Sequence, residues 1–446
     1  MPLGRIETTI TPLGAGARRP LADDQGPCLS VIIPALNEAA GIAGIVGRVL
    51  AQQAALEAVG VARLEVIVVD DGSHDETGAA VERFVRPDEA EAKTVVRLVR
   101  HSVNRGYGAA LKTGLAQAQG ELIAFLDADG TYPPEYFPQL CAPALAGAEV
   151  VIGSRMSGAA SEMPLMRRVG NVLFAGLITL LGDQRVRDSA SGMRVIRREK
   201  LPLLYPLPNG LNFTPIMSMR AIHEGLRLVE VPIPYRERIG RSKLSVVRDG
   251  VRYTISILWT ALSYNPVRIL GTLGLAGMGA ALLVALWLSA ARLRGVTTLT
   301  PWSVAAIFGA LVLGVGGVSV FSLGATFNYL VALFRKQPVR MGLFGKPIFN
   351  PPLDRHFGWL GLTVGAIGMI LAGGTLALGL TGWEISRLWL YLVGSALFML
   401  VGLQLVISWV VMRTLEELSE REIRAQHDMR AQHDMSGGGH QHGSGV

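Results

Sequence analysis

From Leu29 to about residue 155 the chain alternates short apolar, β-branched runs with longer mixed segments. Leu29-Ser30-Val31-Ile32-Ile33 stops at Pro34, and Val66-Ile67-Val68-Val69 stops at Asp70-Asp71. Val95-Val96-Arg97-Leu98-Val99, Leu122-Ile123-Ala124-Phe125-Leu126 and Val150-Val151-Ile152 repeat the pattern. Between them, residues 41–56, a segment starting at Asp75, residues 107–118 and a segment opening at Pro134 read as helices. Pro134 suits the first helical position, where its missing N–H is not needed. Strands that are apolar throughout, each followed by a helix, predict an α/β domain: a mostly parallel, Rossmann-like sheet covered on both faces.

Further on the pattern changes. Residues 167–181 are amphipathic, basic at the start and then apolar at helical spacing, and suit a helix in a membrane interface or, as the alternative, a core helix. Residues 246–264 carry Arg248 and Arg252 among Val, Ile, Leu, Trp259 and Tyr264, and read as a juxtamembrane helix. Four apolar stretches follow, at about 267–289, 304–333, 358–381 and 388–411, each long enough to cross a hydrocarbon core. The second is long enough to tilt or to extend past the core.

These patterns divide the chain into a disordered lead (1–26), an α/β domain (27–245), a juxtamembrane amphipathic helix (246–265), a four-helix transmembrane domain (266–412) and a polar tail (413–446). Composition agrees. The chain has 446 residues, 50% hydrophobic and 17% charged, and most of the charge lies before residue 255. The net charge of +7 gathers as Arg and Lys beside the apolar stretches, which suits anionic lipid headgroups. No aromatic-basic module accompanies it, so nucleic acid is not the expected partner. Two cysteines, Cys28 and Cys141, provide neither a disulfide framework nor metal spacing. Residues 1–26 lack the apolar core of a secretory signal. The tail repeats Ala-Gln-His-Asp-Met at 425–429 and 431–435 and reads as solvated.

Orientation follows from the loops. Residues 335–357 carry Arg335, Lys336, Arg340, Lys346 and Arg355 against one acid, Asp354. The positive-inside rule therefore places that loop, the α/β domain and the tail in the cytoplasm, on a multi-pass protein of the cell (inner) membrane. The interiors of the spans hold no Asp, Glu, Lys, Arg or His, which argues against a transporter. They suit a lipid-facing platform or a homo-oligomer interface.

Polar residues crowd the strand exits: Asn37 and Glu38, Asp70 and Asp71, Asp127 and Asp129, and Arg155. Ligands bind at that edge of parallel sheets. Two carboxylates one residue apart, at the end of a buried strand, repel unless a positive partner joins them. A hard divalent cation on a diphosphate is the usual one. Solvated loop acids are the plain alternative.

The chain resembles the inverting family-2 glycosyltransferases, and among them the polyprenyl-phosphate sugar transferases such as the dolichol-phosphate mannose synthases. The resemblance covers residues 29–255. Its marks are Val31-Ile32-Ile33-Pro34 with Asn37-Glu38, Val68-Val69-Asp70-Asp71-Gly72-Ser73, Asn104 to Leu111, Asp127-Ala128-Asp129, Gly153-Ser154-Arg155, Asp188 with Ser191-Gly192, and Gly240 with Ser242-Lys243-Leu244. It implies a GT-A domain in which Pro34, Leu36, Glu38, Val69 and Asp71 line the base and ribose pocket. Ala128 lies beside the nucleotide, and Lys112 reaches for phosphate or is simply solvated. Asp127 and Asp129 would hold Mg²⁺ or Mn²⁺, with Thr131 where relatives place a third side-chain ligand. Arg155 would steady the departing diphosphate. Arg167, Arg168, Arg236, Arg238, Ser242 and Lys243 would meet the acceptor phosphate, Glu237 occupying the position where relatives carry arginine.

The expected reaction is a single in-line displacement, with inversion. A nucleotide-sugar of the UDP-glucose or GDP-mannose class gives its sugar to a polyprenyl phosphate. The attacking oxygen is already ionised, so no strong base is needed, and His74, His101 and His223 read as ordinary residues. Two alternatives differ in kind. A processive polysaccharide synthase would carry a Gln-x-x-Arg-Trp motif, which none of the seven tryptophans provides. A non-catalytic nucleotide-sugar sensor would have no use for both acids.

Overall fold

The computed structural model describes residues 26–85, 92–157, 163–182, 184–236, 246–296, 300–335, 353–383 and 385–437. The chain divides into two compact units, Met1–Ser256 and Ile257–Val446.

In the first unit the elements follow in order: β1 (Cys28–Ala35), α1 (Ile42–Leu50), α2 (Gln53–Ala58), β2 (Arg63–Asp70), α3 (Thr77–Glu82), β3 (Thr94–Arg100) and α4 (Tyr107–Gln117). Next come β4 (Leu122–Phe125), α5 (Phe137–Leu145), β5 (Val150–Ser154), α6 (Leu165–Leu181), β6 (Arg194–Arg197), α7 (Leu201–Leu204), α8 (Phe213–His223) and β7 (Leu228–Pro232), while α9 (Val246–Leu262) runs across the boundary between the units. The described strands form one seven-stranded sheet in the order β3-β2-β1-β4-β6-β5-β7. All the pairs are parallel except those of β6, which is antiparallel to β4 and β5.

Both faces of the sheet are covered, which is why its strands are apolar throughout. Leu29, Val31 and Ile33 of β1 share one buried cluster with Ile42, Ile45, Val46 and Val49 of α1 and Phe137, Leu140 and Cys141 of α5. Ile32 points the other way, against Gly114 of α4. On that face Phe125 meets the ring of Phe213 of α8 edge-on, 6.1 Å between centroids. Each fully buried Ile, Val or Leu stabilises the domain by about 1.5–3 kcal/mol. Burial also silences both cysteines, pushing each thiol up to about 12.

The helix expected over 41–56 is broken at Ala51–Gln52, and that after Asp75 is only α3. Parallel register places Ala35, Asp70 and Arg100 side by side at one edge. Because β6 runs the other way, its first residue, Arg194, pairs with Phe125 at the end of β4. The loop before β6 is thereby delivered to the edge where the parallel strands stop.

The second unit contains α10 (Thr272–Leu293), α11 (Pro301–Arg335), α12 (Phe357–Leu380) and α13 (Ile385–Gly437). Four segments, Val267–Leu293, Pro301–Arg335, Leu353–Leu380 and Leu390–Leu418, are long and apolar enough to cross a membrane. At most 22% of any of their most apolar windows is buried in the protein, so their Leu, Phe and Trp side chains need apolar surroundings from elsewhere. Small residues bring helices together: a Cβ on Gly402 of α13 would lie 2.7 Å from the Gly361 carbonyl oxygen of α12. Buried hydroxyls turn back on their own helices, Thr375 to the Leu371 carbonyl and Ser408 to that of Gln404. The tail read as solvated continues as helix to Gly437.

Candidate active site

β4 is buried along its length and is followed by the turn that carries Asp127, Ala128 and Asp129. Asp127 is half-buried, and its Oδ1 accepts a hydrogen bond from the Tyr107 hydroxyl at 2.8 Å. Asp129 is buried, and its Oδ1 accepts from the Thr131 backbone N–H at 3.1 Å and the Thr131 hydroxyl at 2.6 Å. Thr131, expected as a ligand, here orients the carboxylate beside it. On the other side of Asp127 stands Gly192, where a Cβ would fall 2.7 Å from Oδ2. A side chain at that position would push the Asp127 carboxylate from its place.

The donor set suits a hard cation. Among the described residues there is no cluster of three or more His, Cys, Asp or Glu. An all-protein cage is therefore not formed, but Mg²⁺ or Mn²⁺ ordinarily takes only one or two carboxylates and completes its shell with phosphate oxygens and water. Asp127 and Asp129 fit that pattern.

The strand exits on the nucleotide side are tied together. Pro34 and Val69 are register partners, both buried, while Leu36 and Glu38 are half-buried in the loop after β1. That loop is latched to the 70–77 segment: the Asn37 N–H donates to the Ser73 hydroxyl at 2.9 Å and the Glu38 N–H to the Thr77 hydroxyl at 2.9 Å. Asp71 accepts from the Arg105 N–H at 2.9 Å on Oδ1 and the Gly106 N–H at 2.8 Å on Oδ2. His101 Nδ1–H donates to the same Oδ1 at 2.7 Å, and His101 Nε2 lies 2.9 Å from the Thr113 hydroxyl. His101, read from sequence as an ordinary residue, bridges β2, β3 and α4. Lys112 is turned onto the Leu207 carbonyl at 3.1 Å, and partial burial with the nearby Arg105 lowers its pKa.

The basic side is built around Arg155. Its Nε and Nη2 donate to the two oxygens of Asp188, each at 2.8 Å, and its backbone N–H donates to Oδ2 at 2.8 Å. Its guanidinium lies 5.6 Å from the Tyr132 ring centroid and 5.8 Å from that of Tyr235. Burial opposes both charges, but each outweighs it for the other: Asp188 is held below the usual carboxylate range and Arg155 above its own. Arg155 thus has a protein counter-charge that its place in the sequence did not show. Arg167 Nη1 donates to the Tyr235 hydroxyl at 2.9 Å, and the Arg236 N–H donates to the Thr131 carbonyl at 3.2 Å. Arg155 and Arg167 therefore share Tyr235 as a neighbour, and the Arg236 backbone ties that segment to the carboxylate turn. Arg168 is exposed on α6, and Arg238, Ser242 and Lys243 lie outside the described residues.

Beneath the site Arg194 is fully buried. Its Nη2 donates to the Ser189 carbonyl at 2.7 Å and its Nε to the Ser191 carbonyl at 3.1 Å, holding the loop before β6. Nη1 has no hydrogen-bond partner, and burial lowers the group to about 10. Tyr132, also buried, accepts the Gly192 N–H on its hydroxyl at 2.7 Å. Sequence reasoning missed Tyr107, Tyr132, Arg194 and Tyr235. The one available signal was Tyr107's place inside the Asn104–Leu111 motif.

A mostly parallel sheet with one reversed strand, and two aspartates at the exit of a central strand, define a GT-A glycosyltransferase domain. The family model described as "Glycosyl transferase family 2" matches residues 30–203, and a "Domain of unknown function (DUF8752)" matches residues 266–426. The chain is 33% identical over 235 residues to a dolichyl-phosphate hexose transferase of Haloferax volcanii, covering 52% of this chain and 94% of that protein. It is 33% identical to a polyprenol monophosphomannose synthase of Mycolicibacterium smegmatis, over 48% of this chain and 80% of that one. An undecaprenyl-phosphate 4-deoxy-4-formamido-L-arabinose transferase of Proteus mirabilis is 28% identical over 72% of this chain and 88% of its own length. Among solved structures, a Mycobacterium tuberculosis glucosyl-3-phosphoglycerate synthase in complex with Mn²⁺ and UDP aligns at a TM-score of 0.40 and 25% identity, over 53% of this chain and 80% of that one. The chain belongs to glycosyl transferase family 2.

Proposed function

We propose that this glycosyltransferase moves a sugar from a nucleoside diphosphate to a polyprenyl phosphate at the cytoplasmic membrane face, inverting the anomeric carbon. One observation carries the proposal: the Tyr235–Arg236 segment joins the two sides, its Tyr235 hydroxyl bonded to Arg167 at 2.9 Å and its Arg236 N–H to the Thr131 carbonyl of the carboxylate turn at 3.2 Å. A diphosphate donor and a phosphate acceptor need those two kinds of surface side by side. The membrane-length helices and the likeness to lipid-phosphate transferases support a lipid acceptor.

Pro34, Leu36, Glu38 and Val69 line the base and ribose pocket, and Asp71 shapes it by holding the Arg105–Gly106 backbone. Asp127 and Asp129 hold the cation on the diphosphate, and Ala128 packs beside the nucleotide. Bound there, Mg²⁺ or Mn²⁺ supplies positive charge to the departing diphosphate. Arg167 and Arg236 bind the acceptor phosphate, aided by Arg168, Arg238, Ser242 and Lys243, and offset the repulsion between two converging anions. Arg155, already balanced by Asp188, keeps Tyr132 and Tyr235 in place and adds a weaker field at the leaving group. The acceptor oxygen attacks the anomeric carbon, the C–O bond to the diphosphate breaks, and no proton needs to be removed.

The test is a donor panel, UDP-glucose and GDP-mannose included, with purified protein, undecaprenyl phosphate, and Mg²⁺ or Mn²⁺ present or absent. A monoglycosyl lipid with a β linkage from an α donor, lost in Asp129→Ala, is the expected product. Retained configuration by NMR, a sugar polymer, or no turnover with any donor would sink the proposal.

A further inference from the structure

We propose that Tyr107 is the positioning residue that sets the Asp127 carboxylate for its cation. The proposal rests on the reading above of Asp127 and Asp129 as the metal-holding pair. The two aspartates are oriented by different means. Asp129 is set by its own turn, through the backbone and hydroxyl of Thr131 two residues on. Asp127 is bonded to a residue twenty positions earlier: the Tyr107 hydroxyl donates to Oδ1 at 2.8 Å.

That donor is itself held in place. Tyr107 is the first residue of α4, so its backbone is fixed on the C-terminal side by the helix. On the N-terminal side the two preceding N–H groups, Arg105 and Gly106, are both bonded to Asp71. Asp71 in turn is braced by His101, which also reaches Thr113 of α4. The hydroxyl therefore belongs to a rigid arch running from the end of β2 to the end of β4. Beside the other oxygen stands Gly192, where an added Cβ would come 2.7 Å from Oδ2. The carboxylate is held by a fixed donor on one oxygen, and the absence of a side chain at Gly192 leaves room for the other. Its plane is set before any cation arrives, and the cation loses little in ordering it. Groups bonded to metal ligands in this way typically govern affinity by about tenfold to a hundredfold.

The arch also gives the two halves of the donor site a common support. The residue bracing the 105–106 backbone on the nucleotide side and the residue aiming Asp127 on the diphosphate side are separated by one short segment. A change at Tyr107 is therefore read first in cation affinity, not in the fold of the domain.

The experiment uses the full chain in nanodiscs. Free Mn²⁺ is followed by EPR during titration in the presence of UDP or GDP, for wild type and Tyr107→Phe, with thermal unfolding recorded for both. Tyr107→Phe removes only the hydroxyl. Its Mn²⁺ affinity is expected to fall about tenfold or more, with unfolding little changed and kcat recovered at saturating Mn²⁺. A folded Tyr107→Phe that binds Mn²⁺ within twofold of wild type overturns the proposal. Should that variant not accumulate folded, Gly192→Ala decides, because it presses on the same carboxylate from the opposite side. It too is expected to lower Mn²⁺ affinity, and unchanged affinity there overturns the claim that orientation governs binding. If wild type binds no Mn²⁺ with either nucleotide, the metal site itself is absent and the role of Tyr107 falls with it. Metal binding by wild type with an unaffected Tyr107→Phe removes the positioning role alone.

Discussion

At the scale of single residues, the pair with the largest energetic stake is Arg155 with Asp188. Asp188 is fully buried, Arg155 is mostly so, and three hydrogen bonds join them. Removing one partner leaves the other charge uncompensated, so Asp188→Ala is expected to destabilise the protein by about 3–5 kcal/mol. Denaturant unfolding measures it. The pH dependence has a definite sign. A carboxyl held below its ordinary value contributes stability above the unfolded pKa of about 3.9. That contribution is lost as pH falls through the lower, folded value. Wild type should therefore lose more unfolding temperature than Asp188→Asn on acidification below about pH 4, and equal losses would refute the assignment. The sequence made Asp127 and Asp129 legible because acids at the exit of an apolar strand are conspicuous. It did not reveal the partner of Arg155, because Asp188 is brought there by a strand whose direction no local pattern encodes.

At the scale of elements, the parallel strands were legible from their unbroken apolar runs, while β6 and β7 were not. Arg194-Val195-Ile196-Arg197 is short and bounded by arginines, and nothing in it says that its first guanidinium is buried. The membrane-length helices were legible from hydropathy, but their pairing depends on where glycines face one another. Gly402→Leu places a side chain against the α12 backbone, whereas Gly373 has nothing within 4 Å of a Cβ built there. Gly402→Leu is expected to lower stability in detergent by about 1–3 kcal/mol or more, and Gly373→Leu to leave it nearly unchanged. Paired thermal melts check this, and equal melting temperatures would show that α12 and α13 do not meet at Gly402.

At the scale of the whole molecule, the proposed orientation, with all four described membrane-length segments crossing, has the catalytic domain and the C-terminal segment on one side of the membrane. Both cysteines are free and buried, so a cysteine introduced at the surface can be labelled against a quiet background. Thr381→Cys, between α12 and α13, should react with an impermeant maleimide in intact cells. Arg421→Cys, on α13, should react only after permeabilisation. The opposite pattern would reverse the proposed orientation. Charge asymmetry between loops is the sequence feature from which this proposed arrangement is drawn, whereas the helical continuation past residue 413 was hidden by its polar composition.

That continuation sets a distance. From the end of the apolar part of α13 at Leu418 to Gly437, the helix rises about 29 Å at 1.5 Å per residue. Emerging from a bilayer, a stalk of that reach exceeds the Debye length of about 8 Å at physiological ionic strength. Its far end would stand clear of the headgroup field, so a fluorescent or affinity module fused after Val446 would report on the enzyme without feeling the lipid charge beneath it.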